Sequence, residues 1–174
     1  MNKQISKKVY LPLLIIFSIS IVFAVCYEIY QNNFTERGIV RQNWHVDIEQ
    51  PRHSKIIVDE VSPMSNDGQL YTQYTYDRET IQKLKKKPYW IKVTNKNIKS
   101  FNQLLTEYNN SILKYPVHSI ESRQNLLKNP VIINNECYYY IQQHKEKKTA
   151  YAFFILNPKE KKLYLLEDWL CFYL

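Results

Sequence analysis

Glycine is scarce in this chain, where only Gly38 and Gly68 occur among 174 residues. Loops that cradle phosphate groups need several glycines to bring backbone N–H groups close to a ligand. The sequence contains neither a GxGxxG nor a GxxxxGK[ST] motif. We therefore expect no nucleotide as a ligand and no nucleotide-dependent chemistry of either common type.

Cysteine is also rare, and Cys26, Cys137 and Cys171 include no CxxC pair. A zinc ribbon or a thioredoxin-type redox site needs closely spaced cysteines, so neither is indicated. The chain also lacks an HExxH motif, which would place two zinc ligands on one helix face. We therefore predict no metal and no other cofactor.

Arginine is scarce relative to lysine, with 5 arginines against 19 lysines. Arginine supplies the bidentate hydrogen bonds that read phosphates and base edges, whereas lysine is a flexible point charge. The formal net charge of +8 therefore does not indicate sequence-specific nucleic-acid binding. We predict no nucleic-acid partner.

The strongest positive signal is an uncharged run of nineteen residues from Val9 to Tyr27. As a helix the run spans about 28 Å, close to the roughly 30 Å hydrocarbon core of a bilayer. We interpret it as a retained transmembrane helix, with the lipid bilayer as a partner. A cleaved signal peptide remains an alternative, with Ala24-Val25-Cys26 as a poor cleavage site. A lipoprotein would use Cys26, although the preceding Val25 is not small.

The distribution of basic residues predicts the orientation of this helix. Three lysines precede the run, whereas Arg37 is the only basic residue among the next ten. By the positive-inside rule the N-terminus is cytoplasmic and the rest is exported. The predicted single-pass protein has a basic tail (1–8), a transmembrane helix (9–27), a polar linker (28–43) and an extracytoplasmic domain (44–174).

The exported part predicts one α+β domain. Period-two alternation or β-rich composition predicts strands over Trp44–Glu49, Lys55–Val61 and Leu70–Tyr76, and a brief extended segment over Trp90–Val93. Helical spacing predicts two or three short helices, over Asp77–Lys87, Asn97–Asn109 and Ser119–Lys128. We expect Asp77 and Ser119 to be N-caps, because short polar side chains can accept hydrogen bonds from the first turn.

The C-terminal third predicts a three-stranded antiparallel meander. Its middle strand carries large side chains on both faces, so we expect it to be central and covered on both sides. Cys137 and Cys171 then lie two strand spacings apart, about 9.6 Å. That distance exceeds the reach of a disulfide, about 7 Å, so we predict free thiols. The three strands are Glu136–Gln143, Thr149–Leu156 and Lys162–Leu170.

A polar site is one interpretation of His45, Asp47 and Glu49, which would share one face of the first predicted strand. An imidazole and two carboxylates could hold a metal or act as acid and base. A solvated strand face explains the same pattern, and no second group of candidate ligands supports a metal. We assign no catalytic residue on this basis.

Seven lysines lie between positions 83 and 99, with Tyr89 and Trp90 among them. One interpretation is contact with an anionic surface, either lipid head groups, at about 1 kcal/mol per basic residue, or a wall polymer. The alternative is a solvated helix end and loop. Lysines in the two turns of the meander are expected at opposite ends of it and are explained by solubility. The predicted anionic-surface contact comprises Lys83, Lys85, Lys86, Lys87, Trp90, Lys92, Lys96 and Lys99.

The motif Asn66-Asp67-Gly68-Gln69-Leu70-Tyr71, a central acidic and Trp-containing region, and the aromatic runs Phe153–Leu156 and Leu163–Leu165 resemble a loose family. It comprises small, single-span, exported proteins of low-GC Gram-positive bacteria, with an Asp-Gly-x-x-Tyr strand and a final aromatic hairpin. The likeness covers roughly residues 55 to 170. Asn66 replaces a glycine that is frequent in the family. The resemblance implies an exported location and this architecture, and it implies no activity.

Three functions are compatible with these features. The leading hypothesis is a non-enzymatic, membrane-anchored binding domain that contacts another envelope protein or an anionic wall polymer. The second is a structural subunit of an envelope secretion or conjugation machine. The third is an envelope hydrolase that uses His45, Asp47 and Glu49.

Overall fold

A computed structural model of the chain describes residues 7–62, 67–114 and 119–169. These residues form five α-helices and six β-strands. The chain divides into two compact units, residues 1–47 and residues 48–174. The predicted class is confirmed, since an apolar N-terminal helix precedes an antiparallel sheet with several helices.

The first unit contains α1 (Lys7–Asn33), a helix of 27 residues. Its segment Pro12–Asn33 is long and apolar enough to cross a membrane, with a mean hydropathy of 2.3 in its most apolar window. Large apolar side chains are exposed along it, including Phe17 at 65% and Phe23 at 72%. Exposing so much apolar surface to water is unfavourable by about 25 cal/mol per Å². Helices of this length and composition serve as membrane anchors or as signal sequences.

The predicted linker, residues 28–43, is largely helical. α1 continues to Asn33, and α2 (Glu36–Trp44) follows after a short break. Thr35 is the N-cap of α2, and its hydroxyl accepts a hydrogen bond from the Gly38 N–H at 3.1 Å. The polar residues of this segment therefore lie mainly on helices, and the segment is not an irregular linker.

The first predicted strand, Trp44–Glu49, is wrong, because α2 ends at Trp44 and residues 45–50 contain no strand. His45 ends the helix in the left-handed conformation, with φ 56°. The expected alternation of burial is nevertheless present, since Trp44, Val46 and Ile48 are buried. A period of two reports burial on alternate sides of an extended chain, and it does not require a neighbouring strand.

The second unit is built on a six-stranded sheet with the order β1-β2-β6-β5-β4-β3. All neighbouring strands in this order are antiparallel. The strand β1 has a bulge at Ile57, where its register with β2 shifts. The strands are β1 (His53–Asp59), β2 (Gln69–Thr75), β3 (Ile91–Lys92), β4 (Tyr138–Gln143), β5 (Tyr151–Asn157) and β6 (Lys162–Asp168).

The predicted C-terminal meander is confirmed, and it is part of a larger sheet. β5 lies between β4 and β6 as expected, and Ile155 on it is completely buried. The sequence did not show that β6 also pairs with β2, in a register that runs from Gln69 opposite Asp168 to Thr75 opposite Lys162. β6 is therefore also an interior strand.

The three predicted helices are confirmed as α3 (Arg78–Lys85), α4 (Ile98–Lys114) and α5 (Ile120–Lys128). Both predicted caps are present. The Asp77 carboxylate accepts from the Thr80 N–H at 2.7 Å, and the Ser119 hydroxyl accepts from the Ser122 N–H at 3.1 Å. These short polar side chains satisfy N–H groups that have no partner within the first helical turn.

Aromatic side chains join α4 to the sheet. The ring of Phe101 stacks on Tyr139 of β4, with centroids 4.3 Å apart. The Tyr108 hydroxyl donates to the Leu70 carbonyl of β2 at 3.0 Å. Burial raises the pKa of Tyr108 well above its usual value, so the phenol stays protonated and can donate this bond.

Gly68 is required by the connection between β1 and β2. Its φ is 142°, and a Cβ atom there would lie 2.0 Å from the Glu60 carbonyl oxygen. We expect Gly68→Ala to lower the free energy of unfolding by about 1–3 kcal/mol or more. An alanine would be strained at this φ, and the neighbouring backbone would have to move. Urea denaturation followed by tryptophan fluorescence measures the change.

Asp67→Ala is the matched control, because it changes the adjacent residue and removes an ion pair with Lys147 at 3.3 Å in which both side chains are about one third exposed. Such pairs contribute about 0–1 kcal/mol. Equal losses in the two variants would contradict the conformational role of Gly68.

Asp77 provides a pH-dependent contribution to stability. Hydrogen bonds from the Thr80 N–H and hydroxyl, and then Arg52, hold the pKa of its carboxyl below the usual 3.8. The ionised cap therefore stabilises the fold above that value, and its contribution is lost as the pH falls through the lower folded-state pKa. We expect Asp77→Asn, which keeps a cap oxygen without the charge, to lose less thermal stability than wild type between about pH 5 and about pH 2. Identical pH profiles of the melting temperature would contradict this.

Candidate functional site

The predicted lysine surface is distributed over several elements. Lys83 and Lys85 belong to α3, Lys86 and Lys87 follow it, Lys92 lies on β3, Lys96 precedes α4 and Lys99 is in its first turn. Only some of these lysines are brought together, because helix and strand geometry turn neighbours in sequence towards different sides.

Tyr138 is the point at which two of the predicted lysines meet. The Nζ atoms of Lys85 and Lys92 lie 5.6 Å and 5.5 Å from the centroid of its ring. Lys92 is also the cross-strand partner of Tyr138 where β3 pairs with β4. Ammonium groups within about 6 Å of an aromatic face are attracted by its negative charge distribution. The ring therefore holds two cations close together at the surface.

A third lysine, Lys159, joins this group from the turn between β5 and β6. That turn lies at the same end of the sheet as Tyr138, because Leu156 is opposite Tyr138 in the β4–β5 register. The five residues Lys85, Lys92, Lys159, Glu136 and Tyr138, together with Pro158, line an open depression of about 490 Å³. The lining contains three lysines and one glutamate, so its formal charge is positive. We call Lys85, Lys92, Lys159 and Tyr138 the lysine groove.

Lys159 was missed by sequence analysis, which explained the lysines of the meander by solubility. The predicted meander already contained the relevant information. In an antiparallel meander the start of one strand and the turn after the next strand lie at the same end of the sheet, so the meander alone places Tyr138 near Lys159. The position of Lys85 and Lys92 at that same end depends on the pairing of β3 with β4, which a two-residue strand does not reveal in sequence.

Two other predicted lysines are engaged by carboxylates of the protein. Lys83 pairs with Glu79 at 2.9 Å, and the hydrogen bond and charge of Glu79 raise the pKa of Lys83. Lys87 lies 3.6 Å from Glu49, with both side chains about one quarter exposed. Lys86, Lys96 and Lys99 are exposed and do not line the lysine groove.

Trp90 has a packing role. Its indole N–H donates to the Leu84 carbonyl at 2.7 Å. Its ring lies 5.0 Å from that of Tyr89, which in turn lies 5.0 Å from Tyr140 of β4. Trp90 therefore connects the end of α3 to the aromatic side chains beside β4.

The three residues of the predicted polar site have separate local environments. His45 is the C-cap of α2. The Asp47 carboxylate accepts hydrogen bonds from Arg37 at 2.7 Å and from Arg41 at 3.2 Å. The strand that was expected to align these side chains with Glu49 does not form. Each carboxylate is already balanced by basic side chains, so an acid–base pair remains a prediction without geometric support.

Cys137 is a buried free cysteine, as predicted. Its thiol lies 3.4 Å from Asn134 Oδ1 and 3.6 Å from the Ile132 carbonyl oxygen. Burial raises the pKa of this thiol, which disfavours the reactive thiolate. Cys171 and the Asn66 position of the family motif lie outside the described residues.

Within the described ranges 7–62, 67–114 and 119–169, no group of three or more His, Cys, Asp or Glu side chains is placed to hold a metal ion. Comparison with family models, with curated proteins and with solved structures finds no match. The resemblance to exported single-span proteins therefore remains a prediction, and function has to be argued from the geometry of the site.

Proposed function

We propose that this chain is a membrane-anchored, non-enzymatic domain that binds an anionic component of the cell envelope through the lysine groove. The observation that carries the proposal is that Lys85 and Lys92 lie over the ring of Tyr138 and that Lys159, from a third segment, lines the same depression. Like charges held together oppose folding by mutual repulsion. An anionic ligand would relieve that repulsion.

The chemistry of the groove favours a polyanion over a small, precisely shaped ligand. Lysine ammonium groups are mobile point charges and do not impose bidentate geometry. The depression is open, so repeated phosphate or carboxylate groups of a polymer could pass along it. Binding of this kind depends on charge and is screened by salt.

The N-terminal helix supplies the location. In the proposed topology α1 spans the membrane with its N-terminus in the cytoplasm, because basic residues precede its apolar run. Tethering the lysine groove to the membrane raises its effective concentration near envelope polymers without any added contact. A modest affinity at the groove is then sufficient for retention.

The edge strand β1 favours the second candidate, a subunit of an envelope assembly. Among the described strands β1 has one neighbour in the sheet order, and its side chains from His53 to Ile56 are exposed. An exposed edge can accept a strand from a partner protein. Cross-linking in intact cells that yields a stoichiometric complex of several proteins would support this candidate, whereas a free monomer or dimer would support the tethered binder.

The lysine groove is tested with polyphosphate as the probe and the full chain in detergent. We expect the triple variant Lys85→Gln, Lys92→Gln, Lys159→Gln to bind about a hundredfold more weakly, taking about 1 kcal/mol per basic residue. The wild-type affinity should also fall more steeply with salt than that of the variant. Titration followed by light scattering or calorimetry measures both quantities.

The matched control is Lys83→Gln, Lys96→Gln, Lys99→Gln, which removes the same number of charges from positions that do not line the groove. We expect it to retain most of the affinity. Equal losses in the two triple variants would show that net charge alone attracts polyphosphate, and the groove would then have no role.

The topology is tested on intact cells with an added protease. We expect loss of the C-terminal domain before lysis and retention of α1 in the membrane fraction after alkaline extraction, because the apolar helix stays in lipid. If the domain survived until lysis, the predicted orientation of the chain in the membrane would be wrong. Mature protein in the culture medium, cleaved after the apolar run, would show that α1 is a signal sequence.

A further inference from the structure

The connection between α1 and α2 forms a tightly bonded corner. The Thr35 hydroxyl donates to the Gln31 carbonyl at 2.6 Å while it caps α2. Gln42 Nε2 donates to the Asn32 carbonyl at 3.1 Å. Gly38 permits this closeness, because a Cβ atom there would lie 2.4 Å from the Asn32 carbonyl oxygen. The two helices are therefore held in one local arrangement.

Two arginines from successive turns of α2 lie on a cavity at this corner. Asp47 Oδ1 accepts from Arg37 Nη2 at 2.7 Å and from Arg41 Nη2 at 3.2 Å. Arg41 Nη1 donates to Asn32 Oδ1 at 3.1 Å, which orients its guanidinium plane. Arg37 Nε donates to the same Asp47 oxygen at 2.9 Å, so one carboxylate oxygen fixes both guanidinium groups beside the cavity. The cavity has a volume of about 220 Å³ and is lined by Tyr27, Gln31, Asn32, Arg37, Gly38 and Arg41.

The position of the corner along α1 matches the interface of a membrane. The uncharged run ends at Tyr27, so the next turns of a spanning helix enter the head-group layer. Tyr27, Tyr30 and Phe34 are exposed at 66%, 55% and 69%, and the rings of Tyr30 and Phe34 stack with centroids 6.1 Å apart. Exposed aromatic rings are enriched at this depth in membrane proteins.

We propose that the cavity lined by Arg37 and Arg41 binds the phosphate of a phospholipid head group in the outer leaflet. The inference rests on the proposed function in one respect, that α1 spans the membrane. Guanidinium groups match the oxygens of a phosphate through paired hydrogen bonds. The amide side chains of Gln31 and Asn32 on the cavity wall offer further donors to the remaining oxygens.

Recognition at this corner depends on geometry and not on an excess of charge. Residues 28–47 contain Glu28, Glu36 and Asp47 as well as the two arginines, so the segment has no surplus of basic residues. We therefore expect zwitterionic and anionic phospholipids to bind similarly, with a weak dependence on salt. This behaviour separates the corner from the lysine groove, where affinity follows charge.

The test uses the delipidated full chain in detergent and native mass spectrometry. The probes are phosphatidylethanolamine, phosphatidylglycerol, a diacylglycerol without phosphate, and inorganic phosphate. We expect one retained molecule of either phospholipid and no retained diacylglycerol, and we expect equimolar inorganic phosphate not to displace the phospholipid.

Two variants probe the cavity directly. Arg41→Gln removes a guanidinium group from the cavity, and Asn32→Asp adds a negative charge beside Arg41. We expect each variant to reduce phospholipid retention about tenfold or more. Arg52→Gln is the matched control, because Arg52 is an exposed arginine that pairs with Asp77 at 3.1 Å. Retention by Arg52→Gln should equal that of wild type, and circular dichroism establishes that all variants are folded.

Three results would overturn the proposal: equal retention of diacylglycerol, unchanged retention in both cavity variants, or displacement of the lipid by equimolar inorganic phosphate. The anchor is tested separately by alkaline extraction of cell membranes. Release of the chain there would refute the spanning helix, whereas loss of phospholipid selectivity in detergent would refute only the cavity.

Discussion

The pairing of β2 with β6 is the contact on which the rest of the folded domain depends. It joins the N-terminal hairpin to the C-terminal meander through seven residue pairs, and the two strands lie far apart in the sequence. Without it the meander would keep β6 as an exposed edge, and the buried aromatic and aliphatic side chains of that strand would face water. Pairings between such distant segments are reached late, because the chain must first lose the entropy of closing a long loop.

The lysine groove is a product of the same sheet. β3 has only two residues, yet its pairing with β4 brings Lys92 beside Tyr138. Lys85 reaches the same ring from α3, whose Leu84 carbonyl accepts a hydrogen bond from Trp90. Lys159 arrives through the turn after β5. Three charges that are dispersed in sequence are therefore concentrated by backbone pairing and aromatic packing, which also supply the energy to oppose their repulsion.

The first unit shows a different use of basic residues. Arg37 and Arg41 are balanced by Asp47 and oriented by Asn32, and the close approach at Gly38 keeps the two helices together. The lysines lie at an open surface and act as mobile point charges. The arginines line a small cavity, where hydrogen bonds fix their planar guanidinium groups. This chemical difference is the reason that we propose a variable polyanion for the former and a single phosphate group for the latter.

Local sequence patterns were sufficient to predict much of the secondary structure of this protein. The apolar run, the capped helices that begin after Asp77 and Ser119, and the meander strands follow from hydrophobic periodicity and side-chain hydrogen bonding, which act between neighbours in sequence. Tertiary structure alone decided that residues 45–50 form no strand, that the polar segment before them is helical, and that Lys159 shares a groove with Lys85 and Lys92. Those outcomes depend on strand partners and helix contacts between distant residues, and a period of two or a polar composition contains no information about which partner a segment will meet.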